Sequence, residues 1–525
     1  MGWLFRSGVY NQTLRAEPIK PRAIIPTLIP GNAELGRALR VGDLIKTLRV
    51  IERPAGEKNY DQALSASVHR FRWLADLCAS GLESTPTVVS ELMALWIDQH
   101  ARWQAVSWIP NVLAERLGHW LVHSAFLLRA SDDIFRDQFL SSLHRQAIHL
   151  KRALALGGSP GDGFFVAKAE VFYHLMFGPQ VFRAEDSLNG LARQISDELL
   201  PDGGHRSRNP SLHLMALRNL IEIRDALSIN GQNSPVWLLV AIDQMAPMLR
   251  SFRHGDGGLC LFNGSRPETS DAIDMVLDLA VSKGRAITNA AHSGFQRLSA
   301  GQSVIVMDIG VPDLVGDDEN SGTLAFELSN GRRRIVVNCG VPEMPSPALR
   351  EICRGSAAHS TLVLADTNSS EMQGAAAMGG RRAHRTHNMR QDIEKNTLVE
   401  SEHNGYQPLF GLNHRRALYL SADGLDVRGE DSLTGNGAPH GGVQGVVRFH
   451  LHPEIGATLV EDGRSVLLRA GKMQGWRFQS SAKGIRLEDS VYFGDGPRRQ
   501  CRQIVIAFDH RASPTVLKWR FQREK

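Results

Sequence analysis

The sequence predicts a chain of two parts, a set of stacked helical hairpins followed by an antiparallel β-sandwich. From about residue 41 to 255 apolar residues recur at helical spacing, as in Leu113, Leu117 and Leu121 with Trp120 beside them. After Arg253 the period drops to that of a half-buried strand, with Leu324, Phe326 and Leu328 alternating with Ala325 and Glu327. The composition, 42% hydrophobic and 22% charged over 525 residues, is globular and excludes a disordered or fibrous chain.

Taken in order, residues 1–40 mix basic residues with four prolines and lack periodicity, which predicts an extended or partly ordered arm. Helical stretches follow over about 64–80, 87–103, 163–177, 187–200, 210–229 and 235–251, with a further one opened by Asp132 and Asp133 and running towards Leu156. Short linkers such as Gly157-Gly158-Ser159-Pro160-Gly161 make neighbouring helices antiparallel. The change of period sets the domain limits: an arm over 1–40, a helical domain over 41–255 and a strand-rich domain over 256–525. In the last part Ile335 to Val337, Thr361 to Leu364, Val466 to Leu468 and Ile504 to Phe508 read as short strands. Asp462-Gly463 reads as a hairpin turn. Many short strands with turns between them imply sheets packed as a sandwich. Residues 368–392 are Gly/Ala/Arg-rich and aperiodic, the pattern of a long loop.

The formal net charge of +5, with 20 His, permits an acidic ligand; the excess is too small and too dispersed to indicate nucleic acid by itself. Cys78, Cys260, Cys339, Cys353 and Cys501 lie far apart, which argues against a disulfide framework or a Cys-based zinc site and for buried thiols. No apolar run approaches the roughly 20 residues of a membrane span. No secretory leader is visible either, so the expected compartment is the cytoplasm.

Three clusters could carry chemistry. In Asp202 to His213, Asn209 is a good N-cap and Pro210 suits the first helical position, which puts His205 and Arg208 just before a helix start and His213 in its first turn. Such a start favours anions; the competing reading is an ordinary cap with solvated basic neighbours. The second cluster, Arg253 to Gly258 and then Phe262-Asn263-Gly264, forms tight turns, and Asp256 and Asn263 stand where ligand contacts are common. The third runs from Arg354 through His359 to Asp366, with Glu402-His403-Asn404-Gly405-Tyr406 and His414-Arg415-Arg416 downstream. His and Asp are suitable zinc ligands and Tyr can move a proton, although the spacing matches no self-sufficient metal motif. His450 and His452 would share one strand face in a solvated or packing role. Asp256 and Glu402 could serve a hydrolase, but nothing in the sequence pairs them across a sugar.

Together, His69-Arg70-Phe71-Arg72-Trp73-Leu74, Gly203 to Pro210, Phe252 to Gly264, Ser293 to Leu298, Ala358 to Thr361 and His403 to Tyr406 resemble the heparinase II/III-like polysaccharide lyases, over about residues 60–510. The resemblance implies an N-terminal incomplete α/α toroid followed by a C-terminal antiparallel β-sandwich, and β-elimination of an acidic, uronate-containing polysaccharide in the cleft between them. It implies His205, His213, His359 and Tyr406 as catalytic residues, and Arg208, Asn209, Asp256 and Asn263 as substrate-binding residues. No cofactor is required; a structural zinc or other divalent cation in the sandwich would be held by His359, Asp366 and His403. The expected partner is thus an acidic polysaccharide, with no nucleic acid and no integral membrane segment, and the resemblance adds the periplasm or cell envelope as a second compartment. Two positions depart from the pattern. Leu212 stands where such lyases carry Tyr in Ser-Pro-x-Tyr-His, and Gly-Phe-Phe-Val over 163–166 replaces an Asn-His pair. The departures favour a second reading, a glycan-binding protein without catalysis.

Overall fold

Helix ends follow the local chemistry. Asp132 accepts the Phe135 amide at 2.7 Å and opens helix Asp133–Ala155, which buries Phe139, Leu143, Ala147 and Leu150 along one side. Helix Pro110–Val122 buries Leu113, Leu117, Trp120 and Leu121, and helix Gly163–Phe177 is buried almost all round. With Trp73–Ala79, Thr85–Gln99, Ala184–Glu198, Pro210–Ile229 and Val236–Ser251, these match the expected helical stretches. The computed structural model describes residues 2–14, 17–39, 68–129, 132–158, 163–312, 319–342, 346–373, 377–378, 380–435, 442–471, 475–496, 498–511 and 513–524. The start of the first expected stretch, 64–67, and linker residues 159–161 lie outside them.

The chain divides into two compact units, Met1–Asp197 with Ala216–Ile242, and Glu198–Met215 with Asp243–Lys525. In the first, the amino-terminal segment is more ordered than its prolines suggested. Short helices Gly2–Arg6, Gly8–Thr13 and Ala33–Ala38 are present, Leu14, Ile25 and Ile29 are buried, and the Tyr10 hydroxyl lies 2.7 Å from His149 Nδ1. Among the described residues no helix is long and apolar enough to cross a membrane.

The second unit is a β-sandwich with helical additions. Helix Ser270–Ala280, which the strand reading of this region missed, is capped by Thr269 and buries Ile273, Val276, Leu277 and Ala280. Its period of 3.6 is plain in the sequence; its place beyond the change of pattern hid it. One sheet runs Asn289–Ala290, Phe295–Ala300, Ser303–Asp308, Phe326–Asn330, Arg333–Val337, Val443–Leu451, Arg499–His510, Ile485–Tyr492, with Leu362–Leu364 also pairing Val443–Leu451. The other runs Gly456–Val460, Ser465–Arg469, Trp476–Ser480, Thr515–Arg523, Asp426–Gly435, Leu412–Leu420, Asn396–His403, Arg385–Ile393. Every pairing is antiparallel. The Asp462-Gly463 turn joins Gly456–Val460 to Ser465–Arg469, as expected, with both residues at positive φ. The expected loop over 368–392 is instead partly strand: Met372–Gln373 pairs Ala377–Met378, and Arg385–Ile393 is an edge strand pairing Asn396–His403. Its polar residues face solvent along an edge, so apolar alternation never marked it.

Alternate residues of both sheets fill the space between them. Phe326 stacks on Trp519 at 5.4 Å, and Phe449 meets Trp519 edge-on at 4.8 Å. A charged pair lies within this core. In Leu412–Leu420 the alternation turns Leu412, His414, Arg416 and Leu418 inward and Arg415 outward. Arg416 faces Asp431 across the strands, its Nε donating to Asp431 Oδ1 at 2.7 Å and its second nitrogen to Oδ2 at 3.0 Å. His414 Nε2 at 2.8 Å and the Trp519 indole N–H at 2.8 Å complete the carboxylate's partners. Burial opposes the Asp431 charge, but the Arg416 guanidinium and His414 hold its carboxyl below the usual range. Arg416 also donates to the carbonyls of Leu324 and Ser360 at 2.8 and 2.7 Å. Replacing Arg416 by Met leaves a buried carboxylate short of its charge partner, and equilibrium urea unfolding is expected to show a loss of about 3–5 kcal/mol.

Candidate functional site

All the residues singled out for chemistry in the sequence belong to the second unit, including those of 202–213 that precede or open helix Pro210–Ile229. The loop begins with a turn closed by the Leu200 amide on the Gly204 carbonyl at 2.8 Å. Gly203 has φ 79°, and a Cβ there would lie 2.2 Å from the Gln244 carbonyl oxygen, so glycine is required. Asp202 accepts the amides of His292 and Ser293 at 2.8 and 2.7 Å and the Ser293 hydroxyl at 2.6 Å.

Arg208 is the centre of this arrangement. Its backbone is left-handed, φ 55°, and its side chain is buried. The guanidinium pairs with Asp308, donates to the Ser293 carbonyl at 2.9 Å and the Val311 carbonyl at 3.3 Å, and lies 3.5 Å from Glu319 Oε2. Asn263 donates to the Arg208 carbonyl at 3.2 Å and to Asp308 Oδ2 at 3.4 Å, and accepts the Asn320 amide at 3.4 Å. Asn320 in turn donates to His359 Nε2 at 3.1 Å. Asn209 caps the helix as expected, accepting the amides of Ser211 and Leu212 at 3.0 and 3.2 Å. The segments carrying the resemblance in this unit thus converge, but as fasteners. Arg208, Asn209 and Asn263, expected to bind substrate, spend these groups on the protein itself.

The same holds for the expected catalytic groups. His213 Nδ1 accepts the His205 amide at 3.2 Å and its Nε2–H donates to the Met245 carbonyl at 2.9 Å. His359 Nδ1–H donates to the Gly355 carbonyl at 2.8 Å while Nε2 accepts from Asn320. His205 Nδ1 accepts the Ser207 amide at 3.2 Å and meets the Ser207 hydroxyl at 2.8 Å. Burial pushes the His205 imidazole down to about 3, and those of His213 and His359 down to about 4. Tyr406 is fully buried, with its hydroxyl donating to the Leu362 carbonyl at 2.8 Å and its proton held more tightly than usual by desolvation. Tyr406 is therefore a core residue, not a proton donor or acceptor facing a substrate.

The residues do not fit the expected cation. His403 Nδ1 accepts the Gly405 amide at 3.0 Å and Nε2 lies 3.3 Å from His414 Nδ1, continuing the chain to Asp431. Asp366 is exposed in the turn that closes Leu364 on Thr367. Among the described residues no three His, Cys, Asp or Glu side chains are grouped to hold a metal ion. Asp256 is bound by Arg334 at 2.8 Å and by the Gly258 amide at 2.9 Å. Burial would raise its carboxyl, but Arg334 draws it down to about 2. The sequence reading missed Asp308, Glu319, Asn320 and Glu327. Glu327 is fully buried and accepts from His254 Nε2 at 2.9 Å and the Asn338 amide at 3.0 Å. A carboxylate inside an apolar alternation, Glu327 between Phe326 and Leu328, was the available signal. His450 and His452 are buried rather than solvated, His450 bonding to Ser490 and the Ala357 carbonyl.

Two outcomes follow from this geometry. Tyr406→Phe strands the Leu362 carbonyl and is expected to cost about 1–3 kcal/mol in urea unfolding. Any glycan-dependent property should stay unchanged. The neutral buried imidazoles take a proton near their ordinary 6.5 when unfolded but only near 3 to 4 when folded. Their contribution is therefore complete above the unfolded value and shrinks as pH falls through it. The urea midpoint is expected to fall between about pH 7 and about pH 5, and a flat profile would contradict the neutral histidines.

Comparison with known proteins agrees with this architecture. Residues 282–520 match the family model described as heparinase II/III-like, C-terminal. The chain is 29% identical over 526 aligned positions to FtsZ-localized protein C of Caulobacter vibrioides, covering 94% of this chain and 87% of that protein. The crystal structure of heparinase III superposes with a TM-score of 0.70 at 15% identity, covering 98% of this chain and 88% of that one. A mutant of the heparan sulfate lyase HepC from Pedobacter heparinus does so with 0.60 at 16%, covering 90% and 78%. At these identities the structures share the fold, that of polysaccharide lyases. Residues 282–520 are thus similar to the C-terminal part of the heparinase II/III-like proteins, and the chain shares its fold with heparinase III.

Proposed function

We propose that this chain uses a polysaccharide-lyase fold to bind an acidic polysaccharide without cleaving it. The observation that carries this reading is the state of the acid/base groups: the ring nitrogens of His213 and His359 and the hydroxyl of Tyr406 are all spent on protein partners. β-Elimination needs a base for the C5 proton and an acid for the departing O4, each within hydrogen-bond reach of the sugar. Leu212 has no proton to move. His205, held down to about 3, is a poor base at neutral pH. The Arg208 charge, which could have stabilised the developing enolate-like anion, is already neutralised by Asp308 and Glu319.

An acidic ligand is supported by a run of guanidinium groups that rest on carbonyls rather than carboxylates. Arg381 donates to Ser369, Gly405 and Asn368, Arg382 to Pro312, and Arg385 to Ala291. Arg385 is half-buried, and one of its terminal nitrogens has no acceptor. Such groups keep their charge for a ligand carboxylate or sulfate. The 29% identity to FtsZ-localized protein C favours a second reading, association with FtsZ.

The test is incubation of the protein with heparan sulfate, alginate and hyaluronan, following both the absorbance of unsaturated product and binding by calorimetry. Binding without any absorbance rise is expected, with affinity falling about tenfold, or ~1.4 kcal/mol, in Arg385→Ala. A rise in absorbance would make the chain an active lyase. Absence of binding, with co-sedimentation on FtsZ polymers, would leave only the second reading.

A further inference from the structure

The first unit contains a buried guanidinium with no counter-charge. Arg116, on helix Pro110–Val122, is wholly buried. Its Nε donates to Gln146 Oε1 at 2.7 Å and one terminal nitrogen to the His69 carbonyl at 3.0 Å, while the other terminal nitrogen has no acceptor. The adjacent carboxylate, Glu115, is taken by Arg70 and Arg72, which both bond to it. Among the described residues no other carboxylate pairs with Arg116. An unpaired charge in such a setting costs several kcal/mol, on the order of the whole stability of a domain.

The groups around Arg116 are short of partners too. Its guanidinium lies 4.4 Å over the Trp96 ring, and the same ring stacks on His100 at 4.9 Å and meets His69 and Trp120 edge-on at 6.0 and 5.3 Å. His69 Nδ1 accepts the Trp96 indole N–H at 2.9 Å, which puts the His69 proton on Nε2, and that atom has no acceptor. His100 Nδ1 bonds to Gln104 Oε1 at 2.6 Å, leaving its Nε2 without a partner, and the Trp120 indole N–H also lacks one. His69, His100, Arg116 and Trp120 are each at least nine-tenths buried. Four polar nitrogens without partners around one indole, one of them on an unpaired cation, call for an explanation, because buried polar groups in folded proteins are nearly always hydrogen-bonded. A buried water could satisfy a donor but would leave the charge.

We infer that Arg116, His69, His100 and Trp120 form a buried binding site for a small carboxylate ion. One guanidinium matches one negative charge, whereas a dianion such as sulfate would leave an excess charge buried. A flat carboxylate suits a site walled by Trp96 and the imidazoles, and it accepts from the guanidinium and His69 Nε2–H together. The site is closed to solvent, so the ion enters only when the surrounding helices open, and it acts as part of the structure.

The probe is sodium acetate, titrated into the full-length protein at constant ionic strength with sodium sulfate as the balancing salt, reading the thermal midpoint and tryptophan emission. A saturable rise of a few degrees with a parallel change in emission is expected, and Arg116→Met should abolish both. Because that variant could fail to fold, the wild-type protein is also denatured and the supernatant analysed by ion chromatography, where about one small carboxylate per chain is expected if the site is filled on purification. The inference is overturned if acetate gives no saturable response and no carboxylate is released. It is equally overturned if sulfate alone reproduces the shift, or if a folded Arg116→Met keeps the response.

Discussion

The ion pair between Arg208 and Asp308 is the interaction on which the arrangement of the second unit's loops depends. Arg208 is a non-glycine residue in the left-handed region, a conformation that persists only where its surroundings over-determine it. Here they do: the guanidinium is held by Asp308, by the Ser293 and Val311 carbonyls and near Glu319, while the backbone carbonyl is held by Asn263, itself at positive φ. Gly310 completes the enclosure, because a Cβ there would fall 2.2 Å from the guanidinium. Burial works against the Asp308 charge and raises its carboxyl, with Arg208 the main opposing influence. The pair is therefore a poor source of net stability, but removing either partner would strand the other.

A second buried charge, Asp431, organises the sandwich core in the same manner. Its partners come from different strands, Arg416 and His414 from one neighbour and Trp519 from the other, so the carboxylate pins the register of three strands at once. A slip of one residue would put Asp431 on the outer face and leave Arg416 alone among Phe326 and Trp519. The two networks meet in the chain near Ser360, whose carbonyl Arg416 holds and whose neighbour His359 closes the chain from Asn320. Polar residues that would serve acid/base chemistry in an open site here hold segments together, and a lone pair already donated to a backbone amide is lost to catalysis.

Much of the fold was legible in the sequence because it rests on local periodicity. The helices around Leu113 to Leu121, from Asp132 to Leu156 and from Asn209 onward were readable from apolar spacing and capping chemistry, and the Asp462-Gly463 hairpin from its turn residues. Helix Ser270–Ala280 and edge strand Arg385–Ile393 were not, the first because it interrupts a strand-rich region and the second because an edge strand with polar sides lacks the alternation of a half-buried one. Of the candidate site, the residue types and their grouping into His205–His213, Asp256–Asn263 and His359 were visible. Their partners were not, since Asp308, Glu319 and Asn320 lie more than fifty residues from Arg208.

The sequence by itself determined where the helical part gives way to strands, which residues cap and turn, and that the charged and imidazole groups of a polysaccharide-lyase pattern are mostly present, with Leu212 in place of the tyrosine. Only the tertiary structure decided what those groups do. Whether a histidine is a base or a strut depends on which atoms reach its two nitrogens, and whether an arginine can take a ligand depends on whether a carboxylate has already met it. Both are set by contacts between residues distant in the chain, which no local pattern encodes.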